Sequence, residues 1–177
     1  VNFDQLFAAP TASEIASVAD LWESRDVSSR DVREEAQGRV QLASESGTVR
    51  VMSHTVDGNR HFGAVVIPES AGKSMPLLLF PHFGDEKLDV TATQLLLNVV
   101  IDPASFIFVY PSFRSQELEF DGISYLSEGG LSPWDGEVDD GLAFLNVALE
   151  TTPQADPGRI STVGLSGGAT IVMLMAL

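Results

Sequence analysis

Cysteine is missing from this 177-residue chain, which excludes disulfides, thiolate metal sites and a cysteine nucleophile while leaving the compartment open. Basic residues are scarce. Ten Lys and Arg stand against 25 Asp and Glu, for a formal charge of -15. Phosphate groups need a basic face, so nucleic acid and anionic membrane surfaces are excluded as partners. Long apolar runs are lacking too: the longest late one, Ile171 to Leu177, falls far short of the ~20 residues that cross a bilayer. The chain opens at Val1, without an initiator methionine or a charged-then-apolar leader. Any signal peptide has therefore been removed or lies outside the cloned stretch, and a periplasmic or secreted protein is the expectation. What is present, 44% hydrophobic and 20% charged residues, suits one globular domain with a sizeable core.

Hydrophobic periodicity orders the elements. Thr11-Ala12-Ser13-Glu14 fits a capping box, and Ile15, Val18, Ala19 and Trp22 follow at helical spacing, predicting an amphipathic helix over 11–24. A second, polar helical piece is expected over 29–37, so residues 1–45 read as an N-terminal helical extension. Residues 48–55 and 60–67 are rich in Val, Thr and Ile around Asp57-Gly58, the signature of a β-hairpin. His54 and His61 should then face each other across it. Without a third ligand they are a cross-strand pair and no metal site is expected.

Two uninterrupted apolar runs, Leu77 to Phe80 and Phe106 to Tyr110, have the form of strands buried on both faces, with a helix over 91–101 between them. Residues 112–132 lack periodicity and read as an excursion loop. A helix is expected from Ser132-Pro133, with Val138, Leu142, Leu145 and Leu149 as its buried stripe. Its acids, Asp135, Glu137, Asp139 and Asp140, read as partners of the helix dipole. After the turn Asp156-Pro157-Gly158 comes a strand over 160–165 and a helix over 169–177. This alternation is an α/β layer fold with a parallel sheet.

Between those last two elements stands Gly164-Leu165-Ser166-Gly167-Gly168, a G-x-S-x-G motif. A sharp strand-to-helix turn exposes a serine in a strained conformation, where its hydroxyl can act as a nucleophile. Side chains two positions before and after the serine would collide there. Gly164 and Gly168 remove them, and the Gly167 N–H, at a helix start, can hold a developing oxyanion. The alternative reading is an ordinary glycine-rich turn, or a phosphate-binding loop without a nucleophile.

Four further motifs occur in order: Pro81-His82-Phe83-Gly84, Val109-Tyr110-Pro111-Ser112-Phe113-Arg114, Trp134-Asp135-Gly136-Glu137-Val138-Asp139-Asp140, and Asp156-Pro157-Gly158-Arg159-Ile160. Together with the serine motif they resemble the first half of an α/β hydrolase. The nearest likeness is to prolyl-oligopeptidase and dipeptidyl-aminopeptidase-like serine hydrolases, with dienelactone hydrolases as relatives. The resemblance implies a mostly parallel sheet with helices on both faces, preceded by a β-hairpin and N-terminal helices, residues 46–177 forming the N-terminal part of the domain. It implies Ser166 as nucleophile, Gly167 with Phe83 or Gly84 as oxyanion donors, and Arg114 as a substrate contact or a structural loop cation. His82 would orient the oxyanion loop rather than act as base. Phe83 departs from the family, which often has glycine there, and the triad Asp and His would lie beyond Leu177.

The implied activity is hydrolysis of an ester or peptide acyl bond, without a cofactor. The alternatives are a non-catalytic binding or assembly module on the same fold, or one half of a split hydrolase whose other half is a second polypeptide.

Overall fold

The computed structural model describes residues 7–82 and 87–176. Helix α1 (Ala12–Glu23) begins at the expected capping box, Glu14 N–H donating to Thr11 Oγ1 at 3.2 Å while the Glu14 carboxylate accepts from the Thr11 amide at 2.7 Å. The next segment corrects the sequence expectation. The polar stretch over 29–37 is not helical but belongs to strand β1 (Arg30–Leu42). Ala36, Gly38, Val40 and Leu42 alternate inward with period two, and antiparallel pairing to β2 (Glu45–Val56) satisfies the backbone that a helix would otherwise have satisfied.

The expected hairpin of β2 and β3 (Asn59–Pro68) is present. Asp57 at φ 49° and Gly58 at φ 76° make the two-residue turn, and His54 lies opposite His61. The apolar runs become β4 (Met75–Leu79) and β6 (Ile107–Pro111), separated by the short β5 (Lys87–Asp89) and helix α2 (Val90–Val100). Strand β9 (Ala155–Thr162) begins earlier than expected and takes in Asp156-Pro157-Gly158. The main sheet runs β1-β2-β3-β6-β4-β9. It is mixed: antiparallel from β1 to β6, then parallel through β6, β4 and β9.

The two central strands divide their side chains between the faces. Leu78, Phe80, Phe108 and Tyr110 pack with Val90 and Leu97 of α2, whereas Leu77, Leu79, Ile107 and Val109 pack with Phe144, Val147 and Ala148 of helix α3 (Gly136–Thr151). Phe144 is therefore at the centre of the buried stripe of α3; the expected Leu142, Leu145 and Leu149 flank it half-buried. On the other face a chain of side-chain hydrogen bonds runs from the core to the surface. Tyr110 Oη–H donates to Gln94 at 2.7 Å, Gln94 to Asn98 at 2.9 Å, and Asn98 to the Gln41 carbonyl at 3.0 Å.

The 112–132 stretch also differs from expectation. It carries β7 (Glu117–Phe120) and β8 (Ile123–Leu126), which join β5 in a second, three-stranded sheet. Asp121-Gly122 turns this hairpin with positive φ at both residues, and buried Leu118 and Phe120 alternate with Glu117 and Glu119. Phe120 lies over Gly38 of β1, whose missing side chain leaves room for the ring.

Candidate active site

The turn from β9 into helix α4 (Gly167–Met175) places Ser166 at the helix N-cap with φ 51° and ψ −123°. A non-glycine residue reaches such a conformation only when its surroundings impose it. Here the surroundings are backbone. A Cβ on Gly164 would lie 2.4 Å from the Gly168 carbonyl oxygen, and a Cβ on Gly168 would lie 2.2 Å from that of Pro81. Neither position tolerates a side chain, so the turn closes on itself and against the exit of β4. Ser166 is exposed, and its hydroxyl makes no capping hydrogen bond to α4. The amides of Gly168 and Ala169 donate to the Leu165 and Ser166 carbonyls at 2.9 and 3.0 Å. The positive end of the α4 dipole thus faces the serine, with the Gly167 amide first in line.

Ser166 and Gly167 open into a cleft of about 370 Å³. Its walls are His82 at the exit of β4, Phe113 and Gln116 after β6, Leu131, Pro133, Trp134 and Glu137 around the start of α3, and Ile171 of α4. His82 is buried and stacked on Phe113, with ring centroids 5.6 Å apart and an interplanar angle of 17°. Gln116 Oε1 sits 2.7 Å from His82 Nε2 and accepts the Phe113 amide at 3.2 Å. Because that oxygen only accepts, Nε2 carries the hydrogen and is committed to Gln116.

Arg114 turns away from the cleft. Its Nε donates to Asp140 Oδ2 at 3.0 Å, and its Nη2 donates to Asp140 Oδ1 at 2.7 Å and to the Gly136 carbonyl at 3.2 Å. The Asp140 hydrogen bonds and charge raise the Arg114 pKa further, against a smaller opposing effect of burial. Asp139 likewise meets a cation, Arg25 Nη1 at 3.0 Å. Asp139 and Asp140, two of the four acids read as dipole partners, are thus ion-paired to residues outside α3.

Phe83 and Gly84, the expected second oxyanion donors, lie outside the described residues. Gln116, Trp134 and Glu137 line the cleft although the sequence reading gave them no site role. For Glu137 a signal existed: spaced three residues after Trp134 at a helix start, its carboxylate reaches back to accept the Trp134 amide at 3.2 Å. For Gln116 there was none.

His54 and His61 lie elsewhere, buried beneath α3 with ring centroids 5.9 Å apart. Asp140, 3.5 Å from His61, already serves Arg114. Among the described residues no group of three or more ligating side chains converges on a metal position. No helix among them is long and apolar enough to cross a membrane.

No family model matches the chain, and no curated protein matches it in sequence. Solved structures do match in fold. A Legionella pneumophila protein assigned as a hydrolase superposes with a TM-score of 0.61 at 10% identity, over 83% of this chain and 46% of its own. A Bacteroides fragilis protein assigned as an acetyl xylan esterase gives 0.56 at 14% identity, over 89% and 47%. A mutant of the rice cell wall degrading esterase LipA from Xanthomonas oryzae gives 0.51 at 16% identity, over 84% and 44%. The chain has the α/β-hydrolase type of fold, and it spans less than half the length of these structures.

Proposed function

We propose that the chain carries the nucleophile side of a serine hydrolase that cleaves an ester or peptide acyl bond. The observation that carries this reading is Ser166 itself, a non-glycine residue at φ 51°, uncapped, exposed at a helix N-terminus and opening into an apolar cleft. Its Oγ attacks the acyl carbon, a base takes the hydroxyl proton, and the tetrahedral oxyanion is held by the Gly167 N–H with Phe83 or Gly84 as second donor. Collapse expels the leaving group, which takes up that proton, and leaves the acyl group on Ser166 for water to remove. Esterase names among the fold neighbours favour the ester over the peptide, and the prolyl-oligopeptidase-like likeness rests on the motifs of the sequence.

The base and acid are proposed to come from sequence following Leu177 or from a second polypeptide. Two observations support this. Among the chain's histidines, His54 and His61 are buried against α3 and His82 gives its Nε2 to Gln116. Among the described residues strand β9 is also the edge of its sheet, with Ile160 on it and Leu165 just beyond it exposed, so a further parallel strand can pair there. Without its triad partners, Ser166 keeps only the contribution of the oxyanion hole and binding, a deficit on the order of 10⁴ to 10⁶ in rate. Fluorophosphonate labelling of the native gene product tests the reading. Labelling lost in Ser166→Ala supports it, and an unlabelled, well-folded protein would mark a binding module instead.

A further inference from the structure

Glu137 is a carboxylate in the wrong surroundings for one that merely caps a helix. It is half-buried on the first turn of α3 and lines the cleft beside Phe113, Trp134 and Ile171. The nearby cations are taken: Arg114 by Asp140 and Arg25 by Asp135 and Asp139. Among the described residues no Lys, Arg or His forms an ion pair with Glu137. The Trp134 amide donates to its carboxylate at 3.2 Å. A surface carboxylate at a helix start is held below its ordinary pKa, but that of Glu137 is raised. Burial is the largest cause and the charge of Asp140 adds to it, against the Trp134 amide and Arg114. A carboxylate left under-compensated in an apolar cleft gains most from a ligand that brings a positive charge. Trp134, 56% exposed on the same wall, offers an aromatic face to such a cation.

We propose that this cleft selects substrates bearing a cationic amine, with Glu137 as counter-ion and Trp134 as aromatic wall. The proposal rests on the serine hydrolase reading for the word substrate, but the binding preference is separable from it. In the acyl or leaving group of a substrate bound at Ser166, the ammonium would pair with Glu137 while the hydrocarbon beside it packs on Phe113 and Ile171. Glu137 is then a specificity-determining residue and takes no part in bond making.

Titration of the ¹⁵N-labelled chain with benzylamine, cationic at neutral pH, and with its neutral counterpart benzyl alcohol tests this directly. Benzylamine is expected to bind about tenfold more tightly and to move the Trp134 indole and Gly167 amide signals. Glu137→Gln, which keeps an oxygen for the Trp134 amide, should erase the preference. Asp20→Asn removes the same charge from the exposed face of α1 and should keep it. Equal affinities, a preference that survives Glu137→Gln, or shifts that map away from the cleft would overturn the proposal. If Glu137→Gln does not fold, the affinity ratio and shift map of the unaltered chain still decide. Benzylamine binding involves no acyl transfer, so a failure of fluorophosphonate labelling and a failure of cation selection are separate results.

Discussion

Asp140 receives three N–H groups from Arg114: the backbone amide at 3.0 Å, Nε at 3.0 Å and Nη2 at 2.7 Å, with the carboxylate wholly buried. This contact ties the loop after β6 to the first turns of α3, and both segments contribute residues to the cleft wall. Removing Asp140 leaves Arg114 largely buried, with only the exposed Asp57 carboxylate, 3.7 Å away, as an ion-pair partner. Asp140→Asn is expected to cost about 3–5 kcal/mol in urea unfolding. Arg114→Met combined with Asp140→Leu should recover part of that loss, since the desolvation cost of the pair disappears with it. A double variant no better than the single one would refute this account.

The strain at Ser166 has a thermodynamic signature. Glycine adopts φ 51° with ψ −123° without a Cβ penalty, so Ser166→Gly should raise stability by about 1–3 kcal/mol while removing the nucleophile. Ser166→Ala keeps the Cβ and should leave stability nearly unchanged. Equal effects of the two substitutions in denaturant unfolding would show that the backbone is not strained.

The glycines of the turn should behave unequally. Gly168→Ala meets the Pro81 carbonyl oxygen at 2.2 Å and Gly164→Ala meets that of Gly168 at 2.4 Å, whereas a Cβ on Gly167 has nothing within 4 Å. The first two are expected to destabilise by about 1–3 kcal/mol and to displace Ser166, and Gly167→Ala should be close to neutral for stability. Thermal unfolding of the three variants, with chemical shifts reporting the turn, checks the ranking.

Acid should find His54. Burial, then the charge of His61, lowers its pKa from 6.5 to about 3, and burial also lowers that of His61 against a partial offset from Asp140. Between pH 6.5 and about 3 the unfolded chain therefore binds a proton that the folded chain refuses. The stabilising effect of neutral His54 is complete above pH 6.5 and is lost on acidification by about 1.4 kcal/mol per pH unit. His54→Leu should flatten that part of the profile. Urea unfolding of both proteins at pH 7.5, 5.5 and 4.5 tests it: parallel profiles would show that His54 does not titrate as a buried neutral group.

Much of this was legible in the residues. Signals confined to neighbouring residues survived: the capping box at Thr11, the Asp57-Gly58 turn with His54 opposite His61, the doubly buried runs of β4 and β6, and the glycines spaced around Ser166. Each has a local cause in backbone geometry or side-chain period. The errors came where the partner decides. A polar, half-exposed strand such as β1 has the composition of a surface helix until β2 pairs with it. Strands β7 and β8 carried the same Asp-Gly signal as β2 and β3, but in segments too short for periodicity to stand out.

That a serine stands in a sharp strand-to-helix turn follows from residue order alone, because it needs only steric freedom at Gly164 and Gly168. What surrounds that serine follows from packing. The commitment of Arg114 to Asp140, the tie between His82 and Gln116, and the appearance of Glu137 in an apolar cleft join residues 26 and 34 positions apart or depend on a wall assembled from several elements. Local spacing carries no record of such contacts. They exist only once the sheet has brought the ends of its strands together, where burial and charge, not sequence order, set what each side chain can do.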